Sequence, residues 1–232
     1  MLSILFQDSD FVAINKPPGM LVHRTPIARD ATQFALQLLR DQIDQHVYPV
    51  HRIDRKTSGV LLFALNEVAL KKIQAQWQNQ QVNKYYLAIV RGNIDTGGLV
   101  DYELTNDKGK KQNAITKYDL IDRAELTKSA NQDTTATYSF VRAEPITGRM
   151  HQIRKHFKHL RHPIIGDRPY GCNKQNRLFK NKWEITTMML HAYQLSFIHP
   201  NTLATITITA PPPIDFRKVV TIMGWRLPET IE

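Results

Sequence analysis

The chain has 232 residues, 42% of them apolar, a single cysteine and a formal net charge of +10. That length suits one catalytic domain or two small ones, and the longest apolar run falls far short of the roughly 20 residues that a membrane span needs. Cys172 alone excludes an internal disulfide framework and fits a reducing cytosol as a small buried filler, while the cationic excess favours a polyanionic partner.

The N-terminal stretch "MLSILFQDSDF" lacks a basic n-region and meets acids within its first residues, so it reads as cytoplasmic rather than exported. Two short strands, "ILFQ" and "FVAIN", lead to the turn "KPPG", where two prolines remove ladder donors. "DATQFALQLLRDQIDQH" predicts a helix capped at Asp30 or Thr32, with Phe34, Leu38, Leu39 and Ile43 at helical spacing. "GVLLFAL" reads as a buried strand and "EVALKKIQAQWQNQ" as the helix after it. "KYYLAIVRG" is apolar on both faces, which places it inside a sheet.

Residues 93–135 predict exposed strands and loops, with "NDKGKKQN" as a hairpin tip and "TTATYSFVRAEPI" as a returning strand. "GRMHQIRKHFKHL" predicts a helix whose apolar stripe is Met150, Ile153, Phe157 and Leu160. "MLHAYQLSFIHP" and "LATITITA" close the strands, and "PIDFRKVVTIMGW" ends the chain as a helix. Strands outnumber helices and their connections are short. The fold class expected is α+β, one catalytic domain over 1–232 with a large mixed, mainly antiparallel sheet flanked by helices and loops.

Charge is concentrated. Arg149, Arg154, Lys155, Lys158, Arg161, Arg168, Lys174, Arg177, Lys180 and Lys182 face only Asp167 in their segment, which thus carries nearly all of the net charge. A solvated basic face is the plain reading; a nucleic-acid surface is the sharper one. On a helical wheel Arg154, Lys158 and Arg161 share a face beside the apolar stripe, offering cations to a cleft or a phosphate backbone. The nearby His151, His156, His159 and His162 lack the convergence and the acidic or thiol partners of a metal site. His151 beside Gln152 fits a hydrogen-bonding role toward a loop or a phosphate.

The segment "VHRIDRKTSG" surrounds one carboxylate, Asp54, with Arg52, Arg55 and Lys56. A surface loop reaches that pattern by accident; an active site reaches it to hold a nucleophilic carboxylate ionised beside an anionic substrate. Tyr85 and Tyr86 project to opposite faces of their strand; a core tyrosine is the plain reading, and one that faces a polar cleft is the alternative, able to stack on a base with its hydroxyl placed for proton transfer.

Taken together, "NKPPGMLVH" (15–23), "HRIDRKTSG" (51–59), "KYYLAIVRG" (84–92), "EPITGRMHQIRKHF" with "HPIIGD" (144–167) and "LHA" (190–192) resemble, in order, the motifs of the RluA-type pseudouridine synthases. Ile53 stands where that family commonly has Leu. The resemblance implies an RNA isomerase with a central RNA-binding cleft, needing no cofactor and no metal. Asp54 would be the catalytic carboxylate, attacking the target uridine at base C6 or at ribose C1′. Arg154 would be its partner, and Tyr86 would pack on the base, placed for proton transfer.

By the same resemblance Arg52 would fill the stack vacated by the flipped uridine. His51, Arg55, Arg149, His151, Gln152, Lys158, Arg161, Lys174 and Arg177 complete the expected RNA-binding set. "NKPPG" begins at residue 15, which leaves no room for an N-terminal S4 module. "HLRHPIIGD", "QNR" and "GWR" are similar to members acting on tRNA, implying uridine 65 of the T-stem as target for a monomeric enzyme. Ribosomal RNA as substrate, or a non-catalytic RNA-binding role, are the alternatives.

Overall fold

A computed structural model describes residues 1–23, 33–129 and 132–228. In chain order they form β1 (Ser3–Gln7), β2 (Phe11–Lys16), α1 (Ala35–Ile43), β3 (Tyr48–Pro49), β4 (Ser58–Ala64), α2 (Glu67–Gln78) and β5 (Asn83–Arg91). Then come β6 (Gly98–Asp101), β7 (Leu104–Thr105), β8 (Lys111–Gln112), β9 (Ile115–Ser129) and β10 (Gln132–Pro145). The remainder is α3 (Gln152–His159), α4 (Asn173–Trp183), β11 (Leu190–Ile198), β12 (Thr205–Thr209) and α5 (Ile214–Ile222). This is the expected α+β class with mixed strand pairing. The chain divides into two compact units, Met1–Lys84 with His191–Pro213, and Tyr85–Leu190 with Ile214–Glu232.

In the first unit β2 lies between β1 and β4, all antiparallel; β4 then pairs parallel with β11, which pairs antiparallel with β12. Side-chain alternation splits the core in two. Phe11, Ala13, Val60, Leu62 and Ala64 meet Ala69 and Ile73 of α2 on one face. Val12, Ile14, Leu61 and Phe63 meet Ala35 and Leu39 of α1 on the other. Because both faces of β4 are covered, its sequence is an unbroken apolar run. Helix α1 starts later than the periodicity predicts, at Ala35 after Phe34, which supplies no side-chain cap; Asp30 and Thr32 lie outside the described residues. The start of α2 is capped conventionally, Asn66 Oδ1 accepting from the Ala69 N–H at 2.8 Å.

In the second unit β10 pairs antiparallel with both β5 and β9, and β9 with β6. The other edge of β5 is covered by loop backbone: Ile89 N–H donates to Met189 O, and Ile165 N–H to Ile89 O, both at 3.0 Å. Tyr86, Ala143 and Tyr118 are cross-strand partners and share a face. Tyr118 meets Phe157 edge-on, so that face is the one α3 covers. Tyr138 and Phe140 project from β10 to the opposite face, where Tyr138 meets Phe179 of α4 and Phe140 meets Phe216 of α5.

Three sequence readings need correction. Helix α3 begins at Gln152, so Met150 is exposed and off the apolar stripe, which is carried by Ile153 and Phe157. Helix α4 reads in sequence only as a run of cations: Gln175 and Phe179 are its buried residues, too few to signal a helix among its basic neighbours. Cys172 is half-buried and stands just before α4 instead of filling the core.

Gly59 has φ +111°, and a Cβ there would overlap the carbonyl of its β11 partner Ala192. Gly109 also has positive φ, +77°, but a Cβ there meets nothing. Gly59→Ala is therefore expected to cost more than about 4 kcal/mol, against about 1–2 kcal/mol for Gly109→Ala, as read by denaturant unfolding.

Candidate active site

The loop between β3 and β4 carries Asp54, and its shape follows from alternate residues facing in and out. Ile53 is buried, whereas Arg52 is exposed and Asp54 half-buried. His51 packs inward: its ring stacks on Trp77 with centroids 4.7 Å apart, and its Nε2 accepts from Leu62 N–H at 3.1 Å. Burial, with Lys84 nearby, pulls its pKa down to about 3, so His51 is a neutral acceptor that aligns the loop on β4. The Thr57 N–H donates to Asp54 O at 3.1 Å and closes the turn.

Two further anchors hold the loop. Gly19 N–H donates to Arg55 O at 2.8 Å, and Arg55 Nε donates back to Gly19 O at 3.0 Å, joining the Asp54 loop to the Pro-Pro-Gly turn. Beneath this junction lies Lys16, whose side chain is wholly buried. Its ammonium donates to Pro17 O at 2.9 Å, Met20 O at 3.0 Å and Arg55 O at 3.2 Å. Burial pulls the Lys16 pKa down to about 7, against the opposing pull of the Asp54 carboxylate, which favours the charged form. In sequence Lys16 reads as part of a turn; a lysine ending an apolar strand just before two prolines is the signal that could have found it.

The second unit carries Tyr86 and Arg154. Tyr86 is half-buried on the face that α3 covers. Arg154 is not an exposed cation. Its Nε and Nη2 donate to the two oxygens of Asp167 at 2.7 and 2.9 Å, with Asp167 fully buried. The guanidinium lies over the Tyr170 ring at 4.9 Å. Gly166 and Asn176 of α4 fix the Asp167 turn: Asn176 accepts from Gly166 N–H at 2.8 Å and donates to Asp167 O at 2.7 Å.

Gln152 is equally committed to the protein. Its amide donates to Ile115 O at 2.9 Å and Thr116 Oγ1 at 3.0 Å, and accepts from Thr147 Oγ1 at 2.7 Å and Arg149 N–H at 3.0 Å. It pins α3 to the start of β9.

The four histidines go separate ways. His151 Nδ1 meets the Tyr170 hydroxyl, His156 bridges Thr116 and Tyr102 O, His159 stacks on Tyr102, and His162 bonds Arg91 O. Burial lowers the His156 pKa, in keeping with its inward bonds. Among the described residues no three His, Cys, Asp or Glu side chains converge as a metal site would need. Lys158 and Arg161 are exposed, with Arg161 beyond the helix end; Arg149 is exposed and donates to Asn113 O at 2.9 Å. Lys174 and Arg177 are exposed on α4, which packs on the sheet face away from Tyr86.

A buried polar framework thus presents one carboxylate from a loop clamped by a lysine, and, in the other unit, a tyrosine and a carboxylate-oriented arginine. Residues 10–159 match the family described as RNA pseudouridylate synthase, and the chain belongs to that family: it is an isomerase that rearranges uridine in RNA. It is 46% identical to tRNA pseudouridine synthase C of Haemophilus ducreyi, over 97% of this chain and 96% of that one. With the protein of the same name from Pasteurella multocida it shares 45%, over 97% and 98%. Among solved structures, human RNA pseudouridylate synthase domain containing 4 superposes with a TM-score of 0.74 at 25% identity, over 98% of this chain and 95% of that one. Human RNA pseudouridylate synthase domain containing 1 shares the fold with a TM-score of 0.73, over 92% and 84%.

Lys16 gives a pH signature. The unfolded chain keeps that proton up to about pH 10.4, whereas the folded chain releases it near 7. Between these values the folded state binds fewer protons, so Lys16 makes stability rise with pH, and its full burial cost is present below pH 7. Lys16→Met, which takes a donor from three carbonyls and leaves Arg55 O with the Gly19 N–H, is expected to melt lower than the parent chain. The gap should widen from pH 7 toward pH 10 in thermal melts.

Proposed function

We propose that the chain converts a uridine of tRNA to pseudouridine with Asp54 as nucleophile, and that the target is uridine 65 in the T-stem. The observation that carries the reading is the Asp54 loop itself: a carboxylate on a turn locked by a buried ammonium, neighboured by exposed cations. The names of the relatives at 45–46% identity support tRNA as the substrate.

In this reading Asp54 attacks the extruded uridine and the N1–C1′ bond breaks. The freed base rotates and C5 bonds to C1′. The C5 proton leaves, N1 gains one, and Asp54 departs unchanged. Tyr86 packs on the base and serves the proton transfer, Arg154 partners the carboxylate, and Arg52 fills the vacated stack. Flipping a paired uridine costs a few kcal/mol that such interactions must offset. The atoms balance as an internal rearrangement, so the chemistry calls for no cofactor. No helix among the described residues is long and apolar enough to cross a membrane.

The test is to incubate purified protein with unmodified tRNA transcripts and ribosomal RNA fragments and map pseudouridine. Product in the T-stem is expected; product in ribosomal RNA alone would overturn the substrate and leave the chemistry. Asp54→Asn should abolish product while keeping the thermal transition and RNA affinity, because an amide is a far poorer nucleophile.

The exposed cations of α4 make a separate prediction. Neutralising Lys174, Arg177 and Lys180 together should flatten log affinity against log salt, by roughly one unit or less for each phosphate that these side chains neutralise. An unchanged slope would leave them as solvated surface.

A further inference from the structure

We propose that the buried Ser58–His191 pair positions the nucleophile: by fixing the C-terminal end of the loop that carries Asp54, it sets turnover and leaves RNA affinity alone. The proposal rests on Asp54 being the nucleophile.

Ser58 Oγ and His191 Nδ1 are 2.8 Å apart, and the two residues are 2% and 0% exposed, so neither touches RNA. The hydrogen positions follow from the neighbours. His191 Nε2 lies 2.9 Å from Ala210 O, and a carbonyl only accepts, so Nε2 carries the proton. Nδ1 is then the acceptor and the Ser58 hydroxyl donates. Burial holds the His191 pKa down to about 4, which keeps this neutral tautomer in place at physiological pH.

The pair sits where the loop becomes β4. Ser58 and Gly59 are in register with His191 and Ala192, the described stretch of parallel pairing between β4 and β11. One residue earlier, Thr57 closes the Asp54 turn through its N–H. The His191 anchor also connects to the Lys16 anchor. Next to Ala210, Pro211 O accepts from Asn15 Nδ2 at 2.9 Å, and Asn15 precedes Lys16, whose ammonium holds Arg55. Hydrogen bonds and peptide links therefore run without a break from Ser58 through His191, Ala210 and Asn15 to Lys16 and Arg55, and so meet the segment that follows Asp54 at two points, Arg55 and Ser58. A neutral hydrogen bond adds only about 1 kcal/mol net, and two apolar side chains would pack as well. What the pair supplies is direction, and small displacements of a reacting group cost up to about a hundredfold in rate.

The experiment compares Ser58→Ala, His191→Gln, His191→Asn and Asp54→Asn by single-turnover rate on a tRNA transcript, RNA affinity and melting temperature. Ser58→Ala should lose about tenfold or more in rate with affinity unchanged within about twofold. An Asn amide oxygen replaces Nδ1 but leaves Ala210, whereas a Gln amide reaches Ala210 and abandons Ser58. His191→Asn is therefore expected to be faster than His191→Gln even if it melts lower, and adding Ser58→Ala to His191→Gln should cost little more. A Ser58→Ala rate within twofold of the parent, or rates that simply follow melting temperature, would overturn the positioning role. An active Asp54→Asn would instead remove the nucleophile reading beneath it.

Discussion

A buried ammonium with three carbonyl partners is the constraint on which the site depends. Lys16 draws Pro17, Met20 and Arg55 carbonyls to one point, and those oxygens belong to two loops far apart in sequence. A fully desolvated lysine is costly unless hydrogen-bonded and compensated, and here the Asp54 carboxylate supplies part of that compensation. A turn held only by its own backbone would be free to move at little cost; this one is tied at Arg55 and again at Ser58.

The second unit solves a similar problem with a different pair. Arg154 is aimed by a bidentate carboxylate, so its planar fork is fixed before any substrate arrives. Removing one partner of such a buried pair typically costs about 3–5 kcal/mol, which makes Asp167 as necessary to the guanidinium as the helix that carries it. Gln152 then fastens that helix to β9, and the sheet register puts Tyr86 on the same face. Among the described residues of this unit Arg154 is buried and oriented, whereas Lys158, Arg161 and Lys174 are exposed.

What the sequence by itself determined is the local and the chemical: the α+β class from alternating apolar periods, the buried β4 from an unbroken apolar run, and a lone Asp54 amid cations in a motif with recognisable relatives. Strands and helices with one strong period are legible because burial imposes that period. Only the tertiary structure decided which polar side chains face inward. Lys16, Gln152, Asp167, Ser58 and His191 carry no periodic signal, since each is buried to meet a partner that the fold brings to it. The same holds for Arg154, which shares a wheel face with exposed cations yet is drawn inside by Asp167 thirteen residues on. Helix α4 is hard to see in the sequence for a related reason: with few buried residues, its packing on Tyr138 rather than its sequence pattern makes it a helix. Hydrogen-bond partners are set by where the folded chain places them, and a one-dimensional pattern does not record that.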